Sequence, residues 1–188
     1  MMSIKNDQYH MLYFVVPKAA CVSIRAILNP SNIHDTQNCS PDEYSHYFWF
    51  TFVRHPLDRM ISLYYSMCSG HLEAPTKNIL RSLQLDTIPD LYTFLWSIAC
   101  TSDNVSDIHY KSQSLLFPAS QMNFVGRFEH LHTDWNRLGL PPLPHHNKSD
   151  HKPWREYYYQ HGKLRPIAQR LTDRYQEDME NFRYQKLN

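Results

Sequence analysis

The chain alternates between short apolar bursts and longer stretches in which apolar residues return every three or four positions. Bursts of the first kind read as strands buried on both faces of a sheet and stretches of the second kind as amphipathic helices. Their alternation predicts an α/β fold. Residues 12–16, LYFVV, form the first burst; Pro17 ends it, and a helical pattern follows over 21–28, stopping before Pro30. Residues 47–53, YFWFTFV, form the second and end in Arg54-His55-Pro56. Pro56 suits the first position of a helix, and Asp58 in the first turn favours the positive end of its dipole. Leu57, Met60, Ile61, Tyr64 and Cys68 then make a stripe for the core, with Ser62 off the stripe. A third strand is predicted over 122–128, MNFVGRF, where Gly126 allows a close backbone approach, and a helix over 129–138.

The weaker patterns fill in between. Residues 31–35, SNIHD, suggest a brief strand, and Ser40-Pro41-Asp42-Glu43 carries a cap and an acidic first turn for a helix start. Residues 73–76 read as a polar loop, 77–83 and 89–100 as helices, 100–107 as a loop and 140–144 as extended. A closing helix is predicted over 163–182, with Leu164, Ile167, Leu171, Tyr175, Met179 and Phe182 in register.

Composition narrows the class. A chain of 188 residues with 42% apolar and 20% charged residues is globular and fits one domain. A formal charge of +1 gives no global field toward nucleic acid, so an anion site has to be local. The N-terminus MMSIKNDQYH lacks a basic start with an apolar core behind it, and no run of about 18 apolar residues occurs; a soluble, cytoplasmic protein without membrane insertion is expected. Cys21, Cys39, Cys68 and Cys100 are widely spaced with no CxxC pair, which favours reduced thiols. The histidines show neither HExxH nor finger spacing, so no metal is expected.

Two stretches carry candidate chemistry. In residues 17–21, PKAAC, the small side chains let an anion approach the N–H groups of the turn and of the first helical turn, and Lys18 adds a mobile positive charge. This is the physics of a P-loop, but GxxxxGK[ST] is absent and the turn holds no Gly, which disfavours an ATP or GTP site. Taken alone, the stretch fits an ordinary strand-to-helix connection equally well. In the second, Ser62 follows His55 by seven residues, about two turns at roughly 3.6 residues per turn, so it points along the face of the loop that holds Arg54. The guanidinium as a fork and the hydroxyl as a donor suit one phosphate.

PKAACVS after a strand, and FVRHPLDRMISLYY with Arg and Ser eight apart, resemble the two cofactor signatures of PAPS-dependent sulfotransferases, especially the carbohydrate sulfotransferase (sulfotransferase family 2) group. Residues 107–113, DIHYKSQ, are similar to that family's DxHWxPQ segment, and FVGRFEHLHTDW to its FVGKFENLxxD. HHNKS and the closing YQEDMENFRY look like its C-terminal end. The resemblance implies one sulfotransferase-like domain over 1–188, with a three-layer P-loop-NTPase-like fold and a short, mainly parallel central sheet flanked by helices. The implied reaction moves a sulfuryl group from 3′-phosphoadenosine 5′-phosphosulfate (PAPS) to an acceptor hydroxyl on a carbohydrate, without a metal, leaving 3′-phosphoadenosine 5′-phosphate (PAP).

By the same resemblance Lys18, Ala19, Ala20, Cys21, Val22 and Ser23 hold the 5′-phosphosulfate, with Lys18 catalytic, while Arg54 and Ser62 hold the 3′-phosphate. Lys148, and less so Ser149, approaches the nucleotide; His109 and Gln113 line the acceptor cleft. His34 is the expected general base, with Asp35 and His109 as alternatives, since imidazole near neutral pH is suited to take the acceptor proton. Two departures bear on donor affinity: Val22 stands where the family usually has Thr or Ser, and Ile24 where many members carry Trp. The runner-up functions are a PAP- or PAPS-binding module without turnover and a P-loop nucleotide kinase. Acceptor identity and oligomeric state stay open.

Overall fold

The computed structural model describes residues 1–29, 35–37, 43–144, 151–160 and 162–185. His34, Cys39, Lys148, Ser149 and most of the helix start at 40–43 lie outside the described residues, and Asp35 is described in its backbone alone. In chain order the elements are β1 (Met2–Asn6), β2 (Met11–Phe14), α1 (Cys21–Leu28), β3 (Asp35–Gln37), β4 (Phe48–Val53), α2 (Pro56–Cys68), α3 (Glu73–Ser82), α4 (Leu91–Cys100), β5 (Phe124–Arg127), α5 (Leu131–Asn136), α6 (Trp154–Gln160), α7 (Arg165–Arg174) and α8 (Gln176–Asn181). They fall into two units, Met1–Arg54 with Gln113–Asn147 and His55–Ser112 with Lys148–Asn188.

The first unit is built on a five-stranded sheet of order β3-β1-β2-β4-β5. β2, β4 and β5 pair in parallel, whereas β1 runs antiparallel to both β2 and β3. The sheet is therefore mixed, a correction to the mainly parallel expectation. Its cause is β1 itself, MSIKN, too polar to announce a strand. Asn6 Oδ1 accepts the Tyr9 N–H at 2.8 Å and His10 adopts φ 52°, so residues 7–10 form a hairpin connection that returns the chain as β2. With β3 on its other edge, β1 is an interior strand, and Ser3 and Ile4 are both fully buried.

Aromatic rings fill the sheet core: Tyr13 lies against Phe50, Phe14 against Trp49, and Phe52 against Phe124 and Trp135. Gly126 of β5 stands opposite Phe52 in register, and a Cβ there would come within 2.4 Å of the Phe52 ring. The close approach foreseen at Gly126 is thus made by a ring rather than by backbone. β5 is shorter than expected at its start because Asn123 pairs with Trp49, N–H to carbonyl at 2.9 Å and side-chain oxygen to N–H at 2.7 Å. The expected helix over 129–138 divides into a 3-10 turn, Phe128–His130, and α5.

The second unit is helical. Its core joins Leu57, Met60, Ile61, Leu63 and Met67 of α2 to Ile79, Phe94, Ile98, Tyr158, Ile167, Leu171 and Met179. α2 is buried around most of its circumference, Arg59, Ser62 and Ser66 included, while Cys68 at its end is exposed. The predicted stripe was therefore too narrow and ran one turn too far. α3 starts at Glu73 rather than 77, because Pro75 falls in the first turn, where a missing N–H breaks no helical bond. Asp90 caps α4 by accepting the Thr93 N–H at 3.1 Å. The closing helix is broken at Tyr175 (φ −99°, ψ 25°), which ends α7 and starts α8, yet the predicted register from Leu164 to Phe182 is buried throughout. No described helix is long and apolar enough to cross a membrane.

Candidate functional site

In the first unit β2 runs out at Phe14 and the chain reaches α1 through residues 15–20. Lys18 (φ 70°) and Ala20 (φ 65°, ψ 14°) both adopt left-handed backbone conformations, on either side of a fully buried Ala19. For a residue with a Cβ this geometry costs about 1–2 kcal/mol each. The turn is strained without any Gly, and such strain persists where the surroundings over-determine it, characteristically at ligand clamps. The first helical bond of α1 runs from the Ile24 N–H to the Ala20 carbonyl at 3.1 Å, so Cys21 and Val22 present N–H groups that have no acceptor inside the helix. Ala20 provides no side-chain cap, and the first turn contains no acidic residue. The positive end of the dipole is left for an anion.

Arg54, one residue past β4, is only 6% exposed. Its guanidinium lies 4.1 Å from the centroid of the Phe128 ring and donates from Nη1 to the Lys18 carbonyl at 3.1 Å. Its backbone is gripped by the Gln113 side chain, whose oxygen accepts the Arg54 N–H at 3.0 Å and whose nitrogen donates to the Arg54 carbonyl at 2.9 Å. One buried cation and one strained, lysine-bearing turn are thus brought together, from stretches of sequence 36 residues apart. A model of the sulfotransferase family matches residues 2–185.

The chain belongs to the sulfotransferase family. No curated protein and no solved structure matches it. As a sulfotransferase the chain is a transferase of sulfuryl groups, a chemistry that develops negative charge on oxygens. Val22 is 47% exposed at the mouth of the turn and brings no hydroxyl, whereas Ser23 is buried. Ile24 is fully buried and belongs to the core.

In the second unit Ser62 is 1% exposed and its carbonyl accepts the Ser66 hydroxyl. His109 sits on a turn where Asp107 Oδ1 accepts both its N–H at 2.9 Å and its ring Nδ1 at 2.6 Å. Burial alone would raise the Asp107 carboxyl, but the bonds from His109 and the charge of Arg59 hold it below its ordinary value. An ionised carboxylate can only accept, so the Nδ1 atom that faces Asp107 carries a proton. Arg59, wholly buried in α2, forks to the carbonyls of Lys111 (2.7 Å) and Ile108 (2.9 Å), and the Tyr175 hydroxyl donates to the Tyr110 carbonyl. The DxHWxPQ-like segment is therefore braced from α2 and from the junction of α7 and α8. His55 is stacked on Trp154 at 4.3 Å, and burial pushes it down to about 4, so its ring is neutral at pH 7.

Arg59, Phe128 and the clamping role of Gln113 were not foreseen from the sequence. Arg59 had a signal, a cation directly before the apolar pair Met60-Ile61 in α2; Phe128 and Gln113 acquire their roles through contacts with distant residues. Among the described residues no cluster of His, Cys, Asp and Glu is placed to hold a metal ion.

Proposed function

We propose that this sulfotransferase takes its sulfuryl group from PAPS and passes it to an acceptor hydroxyl on a carbohydrate. The observation that carries the reading is the Lys18 turn, with left-handed conformations at Lys18 and Ala20 ahead of an uncapped α1. When bound, the donor supplies an activated sulfuryl group whose S–O bond to the 5′-phosphate breaks as the acceptor oxygen bonds to sulfur. The N–H groups from Ala20 to Ser23 and the Lys18 ammonium bind the 5′ end and stabilise charge on the departing oxygen. Lys18 thereby provides the charge that a metal provides in phosphoryl transfer. Arg54 and Ser62 take the 3′-phosphate in this scheme and so align the donor for in-line attack. Lys148 closes on the nucleotide, and His109 and Gln113 belong to the acceptor side. His34 takes the acceptor proton; the Asp107–His109 pair is the second candidate, supported by the carboxylate held on Nδ1. A P-loop-like three-layer fold and a single working domain belong to the same proposal, supported by a family match that runs through both units.

The exposed, hydroxyl-free Val22 favours one second reading, a PAP-binding module without turnover. Thermal unfolding with PAP, with ADP, and with ATP plus Mg²⁺ separates these functions from a nucleotide kinase. A ligand at 100 times its dissociation constant adds about 2.7 kcal/mol, and each kcal/mol raises the midpoint of a domain this size by roughly 2–4 °C. A rise selective for PAP, followed by labelled sulfate transfer from PAPS to a carbohydrate panel, is expected. Binding with no transfer to any acceptor leaves the module; a rise only with ATP and Mg²⁺, or no rise with millimolar PAP, overturns the PAPS assignment.

A further inference from the structure

The pairing of β4 with β5 ends at Val53 opposite Arg127, so the next residue, Arg54, has passed the last rung of the ladder. Its N–H and carbonyl are nevertheless satisfied, because the Gln113 amide meets both in the manner of a neighbouring strand. Gln113 is fully buried, where leaving either backbone group unpaired is unfavourable. The Arg54 backbone so fixed carries the guanidinium that lies on Phe128 and donates to the Lys18 carbonyl. Lys18 is one of the two strained positions of the turn, and this bond fastens its peptide from outside.

We propose that Gln113 is a positioning residue for the donor site: by gripping the Arg54 backbone it aims the guanidinium that holds the Lys18 turn in its anion-binding shape. The inference deepens the proposed function and rests on it for the identity of the anion, PAP. In this role Gln113 reaches the donor site through Arg54, and that gives the proposal its test. It also ties the two ends of the donor together, since the guanidinium assigned to the 3′-phosphate is the one that braces the turn for the 5′ end.

The experiment is a double-mutant cycle of Gln113→Met and Arg54→Met, with PAP affinity measured by calorimetry. Gln113→Met alone weakens PAP about tenfold, within the coupling found inside one hydrogen-bond network. In the Arg54→Met background the same change weakens it by less than about twofold. Equal losses in both backgrounds, or no loss in either, overturn the proposal. A ligand-free arm reads hydrogen exchange at the amides of residues 18–21, which quickens in both single variants; an unchanged rate in Gln113→Met overturns the clamp. If the wild type fails to bind PAP, the donor assignment falls, while the exchange arm still decides the clamp. Should Gln113→Met not fold, Gln113→Glu replaces it, keeping size and the acceptor for the Arg54 N–H but setting a carboxylate against the Arg54 carbonyl. Wild-type exchange and PAP affinity in that variant overturn the proposal equally.

Discussion

Replacing Lys18 by Gly and by Ala separates the charge of the turn from its strain. Both substitutions remove the ammonium, so both abolish sulfuryl transfer if Lys18 stabilises the departing oxygen. They differ at φ 70°, which alanine adopts at a penalty and glycine does not. The left-handed conformation costs a residue with a Cβ about 1–2 kcal/mol. Glycine returns roughly 0.4–1 kcal/mol of this through the larger entropy of its unfolded chain. Lys18→Gly is therefore more stable than Lys18→Ala by about 0.5–1 kcal/mol, a rise in midpoint of roughly 1–4 °C. Calorimetric unfolding of the two variants, both without ligand, measures the difference directly. The Lys18 carbonyl that receives Arg54 is backbone and present in both, so it cancels. A Lys18→Gly variant equal to or less stable than Lys18→Ala would show that the turn is not strained, and the argument for a ligand clamp would lose its footing. A stable but inactive Lys18→Gly would show stability given up for function at this position.

Two further outcomes follow from the packing and the titration. Gly126→Ala places a Cβ against the buried Phe52 ring, which Phe124 and Trp135 keep from retreating; a loss of about 2 kcal/mol is expected in urea unfolding, and a change under about 0.5 kcal/mol would mean the sheet yields there. His55 is held neutral to about pH 4 by burial, whereas the unfolded ring takes a proton near pH 6.5. Its contribution is full above pH 6.5 and declines as pH falls toward about 4, by on the order of 3 kcal/mol. His55→Phe, which keeps the stack on Trp154, flattens the stability profile between pH 7 and 4.5; identical slopes for the two proteins would refute the assignment.

The local patterns determined a good deal by themselves. Apolar bursts at 12–16 and 47–53, each followed by a helical period, specified β2, α1, β4 and α2, because strands buried on both faces and helices with an apolar stripe differ in period. The closing register from Leu164 to Phe182 was legible for the same reason, and so was the turn at Lys18, with its small residues and single cation between strand and helix. Other features had no local signature. β1 is a strand because two neighbours take up its hydrogen bonds, and its polar sequence carries only a hint of this in Asn6 and the turn behind it. The left-handed conformations of Lys18 and Ala20 run against local preference, which would have placed Gly there. Gln113 reads in the sequence as a polar residue of the acceptor cleft; its role as a clamp comes from the end of β4 arriving beside it. Burial works likewise at Arg59, which lies off the predicted stripe of α2 and whose guanidinium is met by the distant carbonyls of Ile108 and Lys111. Periodicity encodes which residues a segment buries, but the partner that satisfies a buried polar group comes from a distant part of the chain, and only the tertiary structure supplies it.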